Sequence, residues 1–245
     1  MIQDSSTRSW NQLSTEWCDI APTNEMRINF IMPYMLKLLG DVSGKRILDL
    51  GCGEGGYSRE LTNRNADVVA VDCAEYSIEY AKKKSLEEGF KIQYYVRNSN
   101  DLYDIEDNSF DIVLCSMMLM DCEDLNGTIK EIVRVLKPSG KLFASVLHPC
   151  FTGKNIGREG EGINRKVIVE DYFNPSEYEQ PLPTGKISVI WRHRTLEDYI
   201  KMFIKHGLTI VDLNEARPTP EQSDISVSIA WLQKIPLFLF WELKK

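Results

Sequence analysis

The chain has 245 residues, 43% of them hydrophobic and 27% charged, with a formal net charge of −7. That length and balance predict one soluble domain with a full core of its own. The negative charge disfavours a nucleic-acid partner, and no apolar run approaches the roughly 18 residues of a membrane span. The start, MIQDSSTRSW, lacks the apolar stretch of a secretory signal, so a cytoplasmic protein is expected.

Trp10 and Trp17 mark an aromatic segment ahead of a helix predicted over Asn24–Leu39, with Met26, Phe30, Pro33 and Leu36 near one side. From Lys45 to His148 strand and helix alternate, which implies a parallel sheet. The predicted strands are Arg46–Leu50, Asp67–Asp72, Ile92–Val96, Phe110–Ser116 and Lys141–His148. Between them lie a short helix ending near Asn63, one over about Glu75–Glu88 stopped by Gly89, and one over about Asn126–Leu136. The turn Lys137-Pro138-Ser139-Gly140 ends the last of these.

Pro149 to about Arg194 breaks the rhythm. It is rich in Gly, Pro, Asn and charge, with short β-like runs at Lys166–Val169 and Ile187–Trp191, and reads as an inserted hairpin or lid. Thr195 and Asp198 form a capping box for a helix stopped by Gly207. A strand over Leu208–Leu213 follows, then a stretch that fits helix or strand and is read as helix, then a last strand at Leu237–Leu243. The six cysteines, Cys18, Cys52, Cys73, Cys115, Cys122 and Cys150, have no C-x-x-C spacing and are expected to be buried free thiols; no metal is expected.

The chemistry concentrates in KRILDLGCGEGGYSREL, residues 45–61. An apolar strand ends beside Asp49, glycines 51, 53, 55 and 56 make a turn, and a helix begins. Bare backbone at a helix start can approach a small-molecule cofactor closely. Gly51, Gly53 and Gly56 also satisfy the G-x-G-x-x-G of dinucleotide folds, and an acid like Asp72 at the end of the second strand suits either cofactor.

Four features in order separate the candidates: D-x-G-C-G from Asp49, Asp72 ending the second strand, NSFDIVLCS over residues 108–116, and LKPSGKL over residues 136–142. On these the chain resembles the class I S-adenosylmethionine-dependent methyltransferases, in their small single-domain branch acting on small molecules. The resemblance is strong over about Lys45–Leu147. Ser139 stands where the family's L-K-P-G-G has glycine.

The resemblance implies a Rossmann-like α/β fold: a mostly parallel seven-stranded sheet with helices on both faces. Its expected parts are an N-terminal helical cap (1–40), a cofactor-binding core (41–148), an inserted lid (149–194) and a completion of the sheet (195–245). It implies S-adenosylmethionine as cofactor and S-adenosylhomocysteine as product. Asp72 would accept from the ribose hydroxyls, and Asp49 would orient the turn and the methionine end or bond only locally. Gly51, Cys52 and Gly53 would offer backbone, and Cys73 would follow the ribose-binding acid. Asn98 and Ser99 would meet the adenine, and the Cys115 carbonyl would meet the methionine amine. Tyr57 would shelter the cofactor or pack in the core.

Methyl transfer needs positioning, and a base only where the acceptor loses a proton. Asp121 stands where relatives often carry His, and His148 ends the fifth strand; both are candidates, with structural roles as the alternatives. Trp10, Trp17, Tyr172 and Trp191 are expected to enclose a small-molecule acceptor or to pack the cover onto the domain. The expected reaction is transfer to O, N or C. A non-methylating cofactor-binding protein remains the alternative, and an RNA or protein methyltransferase is less favoured because Cys115-Ser116-Met117-Met118 replaces [DN]-P-P-[YF].

Overall fold

The computed structural model describes residues 3–181 and 188–245. Helix α1 (Ser5–Ile20) comes first, capped by Asp4, whose side chain accepts the Thr7 N–H. Only aromatic residues advertised this segment, because α1 buries Thr7, Ser9 and Ser14 together with Leu13 and Cys18, so its apolar stripe is blurred. The helix expected over Asn24–Leu39 is present, but it contains a π turn, Arg27–Ile31, that runs into α2 (Met32–Leu39). Such turns often mark functional positions, and this one carries Arg27.

From Lys45 the alternation follows expectation: β1 (Arg46–Leu50), α3 (Gly56–Asn63), β2 (Asp67–Asp72), α4 (Glu75–Glu87), β3 (Gln93–Val96), β4 (Phe110–Ser116) and α5 (Leu125–Val135). Strand β5 starts earlier than Lys141. It runs Leu136–Leu147, with Leu136 beside Phe110 and a shift of register before Ile112. Within it Ser139 has a φ of +66°, a left-handed backbone that glycine adopts freely and serine does not. The turn thus keeps a glycine-like shape without the glycine.

The stretch after β5 holds two hairpins where one was expected: β6 (Ile156–Glu159) with β7 (Lys166–Val169), and β8 (Glu177–Pro181) with β9 (Ser188–Arg192). Ile187, the expected start of the last of these, lies outside the described residues. Helix α6 (Leu196–Lys205) begins with the Thr195–Asp198 capping box. Then come β10 (Thr209–Glu215), the short helices α7 (Pro220–Ile225) and α8 (Val227–Ala230), and β11 (Phe238–Lys244).

Seven strands make one sheet in the order β10-β11-β5-β4-β1-β2-β3. Strands β1 to β5 are parallel, and β11 runs antiparallel between β5 and β10. Chain order reverses between β1 and β4, and a crevice beyond the strand ends at such a reversal is where open α/β sheets bind ligands. Trp241 of β11 packs with Tyr199 and Phe203 of α6, each at 5.4 Å between ring centroids, which covers one sheet face. Helix α1 lies instead against α4 and β9. No helix among the described residues is long and apolar enough to cross a membrane.

Candidate active site

The chain leaves β1 through the glycine turn. Gly51 and Cys52 both donate their N–H to the Val71 carbonyl, at 2.8 and 3.0 Å, which ties the turn to β2. Gly51 has a φ of +76°, and a Cβ there would come 2.7 Å from the Cβ of Met118. No other residue fits without displacement. Asp72 at the end of β2 accepts the Gly53 N–H on Oδ2 at 2.9 Å and the Ala74 N–H on Oδ1 at 2.8 Å. Burial still pushes its carboxyl above the usual carboxylate value. Each oxygen keeps further acceptor capacity.

A cavity of about 540 Å³ lies over this turn, a size typical of ligand sites. Gly51, Cys52, Gly53, Tyr57, Asp72, Cys73, Asn98 and Ser99 all line it. The Ser116 hydroxyl donates to the Tyr57 oxygen at 3.2 Å, which fixes the ring at the wall. The Asn98 amide donates to Asp4 Oδ2 at 2.8 Å and to Thr7 Oγ1 at 3.0 Å, and Ser99 shares a hydrogen bond with Thr128 at 2.8 Å. Burial raises Asp4, but the bonds from Thr7 and Asn98 outweigh it and leave that carboxyl below its usual value.

Trp10, Trp17, Trp191 and Asp121 also line it, with Trp17 packed beside Gly53 of the turn. Asp121 is buried: its Oδ2 accepts the Trp10 indole N–H at 3.1 Å, and its Oδ1 has no partner among the described residues. Burial pushes this carboxyl up to about 8, against the Trp10 bond and the charges of Arg192 and Arg194. Those arginines hold the loop itself, Arg192 through the Asp121 carbonyl and Arg194 through the Cys122 carbonyl.

Four expected residues lie away from the cavity wall. Asp49 is buried beneath the turn, where it accepts the Ser58 hydroxyl at 2.5 Å and burial raises it to about 7; its bonding is local. Cys115 is buried in β4, and Ser116 and Met117 line the cavity instead. His148 shares a hydrogen bond from Nε2 with Glu215 at 2.9 Å and accepts the Cys150 N–H on Nδ1 at 3.2 Å. Burial lowers its pKa against the pull of Glu215, so it is a neutral, fully bonded strand-end histidine rather than a base facing a substrate. The Tyr172 hydroxyl accepts the Leu196 N–H at 2.8 Å and so serves the start of α6, not the cavity.

Two groups of cavity-lining residues escaped the sequence reading. Glu54, in the glycine turn and buried, is held by Arg27 and by Arg59, the latter at 2.8 Å, and it accepts the Gly56 N–H at 3.0 Å. An acid among four glycines is the signal, since a buried carboxylate needs cations; its partner Arg27 is too distant in sequence to be read. Asp4 and Thr7 are the other, at the start of a helix whose bounds the sequence reading did not give. All six cysteines are free, four of them buried. Among the described residues no group of three or more His, Cys, Asp or Glu is gathered as metal ligands.

Residues 48–144 match the family model described as "Methyltransferase domain". A "Ubiquinone biosynthesis O-methyltransferase" of Bordetella avium is 32% identical over 139 residues, 57% of this chain and 56% of that protein. One of the same description from Idiomarina loihiensis is 34% identical over 146 residues, 57% and 58% of the two chains. The match therefore spans little more than half the length of these relatives. Among solved structures, an S-adenosylmethionine dependent methyltransferase from Mesorhizobium loti superposes with a TM-score of 0.75 at 24% identity, over 91% of this chain and 99% of that one. Residues 48–144, which hold the Asp49–Gly56 turn and the Asp72 acceptor, thus match a methyltransferase domain, and the fold around them, reversed strand order included, is similar to that of an S-adenosylmethionine dependent methyltransferase.

Proposed function

We propose that the chain transfers a methyl group from S-adenosylmethionine to an oxygen of a small hydroxylated molecule. The residues suit that cofactor. The turn is one that a Cβ at Gly51 would block, the acid at the end of β2 has acceptor capacity for a diol, and residues 51–56 include no lysine for a phosphate. Asp72 would hold the ribose hydroxyls, Gly51 to Gly53 the methionine end, and Asn98 with Ser99 the adenine end. When bound, the cofactor supplies an electrophilic methyl on a sulfonium.

The observation that carries the oxygen assignment is Asp121. A buried carboxyl on a residue that lines the cavity, with one oxygen unpartnered among the described residues and raised to about 8, is a stronger base than an ordinary aspartate and titrates near working pH. It would accept the hydroxyl proton of the acceptor while the Trp10 N–H keeps the carboxyl in place. Trp10 and Trp191 offer flat apolar walls, and α1 with the second hairpin keeps water out. The relatives named ubiquinone biosynthesis O-methyltransferases agree with this reading.

The test is product analysis. Purified protein, S-adenosylmethionine and matched panels of phenols, alcohols and amines should yield S-adenosylhomocysteine together with methyl ethers. Methylation confined to the amines would reject the oxygen assignment, and binding without turnover of any panel would favour a cofactor-binding protein that does not methylate.

A further inference from the structure

Beyond the main cavity lies a second recess of about 410 Å³, built entirely from residues 152–191. Arg158 of β6 and Trp191 of β9 line both spaces, so they form the neck between them. The charged groups of the recess are Lys154 and Arg158 against Glu177 and Glu179. Glu177 is already bonded to Arg192 at 2.9 Å, which leaves positive charge in excess.

Arg158 itself makes no ion pair with a carboxylate among the described residues. Burial and the neighbouring Arg165 both act against its charge, and Tyr178 is the single group that supports it. Arg165 sits over the Trp231 ring at 5.1 Å, and its Nε is buried without a partner among the described residues. Two adjacent guanidinium groups, neither in an ion pair among the described residues, are a costly arrangement that an anion relieves, and guanidinium forks suit carboxylate or phosphate oxygens. Trp191 meets Tyr178 edge to face at 6.0 Å and makes the wall of the neck aromatic.

Resting on the reading of the main cavity as a methyl-transfer site, we infer that the recess anchors an oxyanion tail of the acceptor, with Arg158 gripping the anion and Trp191 lying along the apolar body that reaches back toward Asp121. The substrate class is then a hydroxylated, apolar small molecule that carries a carboxylate or a phosphate at the end remote from the methylated oxygen. An uncharged acceptor would leave Arg158 as it stands, and would forgo the recess.

The experiment measures binding, not turnover. Three probes, 3-(4-hydroxyphenyl)propanoate, its methyl ester, and 3-(4-hydroxyphenyl)propyl phosphate, are titrated by calorimetry into the protein saturated with S-adenosylhomocysteine. At least one anionic probe should bind about ten-fold more tightly than the ester, and the stronger of the two identifies the tail as carboxylate or phosphate. Arg158→Gln should remove the preference, and Arg158→Lys should keep part of it, with affinity for S-adenosylhomocysteine unchanged in both. Equal binding of all three probes, or a preference that survives Arg158→Gln, overturns the inference. Failure of S-adenosylhomocysteine to bind the unaltered protein would instead overturn the cofactor reading, while the preference for an anion stays measurable in its absence.

Discussion

The two sides of the cavity are held in different ways. On the strand side, the glycine turn hangs from β2 by backbone bonds, Asp72 accepts the Gly53 N–H from 19 residues away, and Glu54 within the turn is held by Arg27 and Arg59. On the cover, α1 is tied down by polar side chains from far along the chain: Trp10 to Asp121, Asn98 to Asp4, Ser5 to Glu123 and Arg192 to Ser5. Backbone that must present its own N–H groups to a ligand has to be rigid before the ligand arrives. A cover that has to admit an acceptor is better fastened by bonds that water can replace.

The largest test of this contrast is Asp121→Asn, which keeps the shape of the cover but removes the proposed base. Turnover should fall by about 10²- to 10⁴-fold with affinity for S-adenosylhomocysteine unchanged. Burial has raised Asp121, and the ionised form is the proton acceptor, so kcat/KM of the unaltered protein should rise with pH through about 8. A variant that keeps that rise would assign it to another group. On the rigid side, Gly51→Ala forces a Cβ into Met118 at a left-handed φ and should cost about 2–4 kcal/mol in urea unfolding. An unchanged midpoint would mean that the turn yields, and the contrast would fail.

Smaller effects sharpen it. Asp72→Ala should weaken S-adenosylhomocysteine by about 1.5–3 kcal/mol in calorimetry, through lost charge-assisted bonds, without loosening α1. Trp10→Phe removes a single donor and should cost about 0.5–1.5 kcal/mol. Hydrogen exchange should speed up along α1, and because the indole N–H favours the ionised carboxylate, the rise of kcat/KM should move to higher pH. Exchange that quickens equally in the glycine turn would show that the two sides are one cooperative unit.

The same division governs what could be read from the residues alone. Strands β1, β2 and β4 were legible to the residue, because buried parallel strands are continuous apolar runs and the turns between them carry glycine and acid at fixed offsets. Asp72 and the turn were readable for that reason. The cover was not. Helix α1 hides its stripe behind buried hydroxyls, and Arg27 finds Glu54 only after 27 residues of intervening fold. His148 and Tyr172 misled because a polar ring at a strand end or in a loop looks the same in sequence whether it faces a ligand or satisfies a backbone group; the Cys150 and Leu196 N–H groups decide it.

The antiparallel seat of β11 between β5 and β10 bears on the order in which the molecule can assemble. Strand β10 leaves the ribosome before β11, yet in the sheet it touches no other strand, so it has no edge to join until β11 has docked on β5. Phe238, Leu239, Phe240 and Trp241, all buried in the finished sheet, must therefore emerge before that flank can close. Until then the free side of β5 is an open strand edge, a site for mispairing during synthesis. Folding of this half waits on late contacts between distant segments, whereas β1 to β4 can pair as they appear.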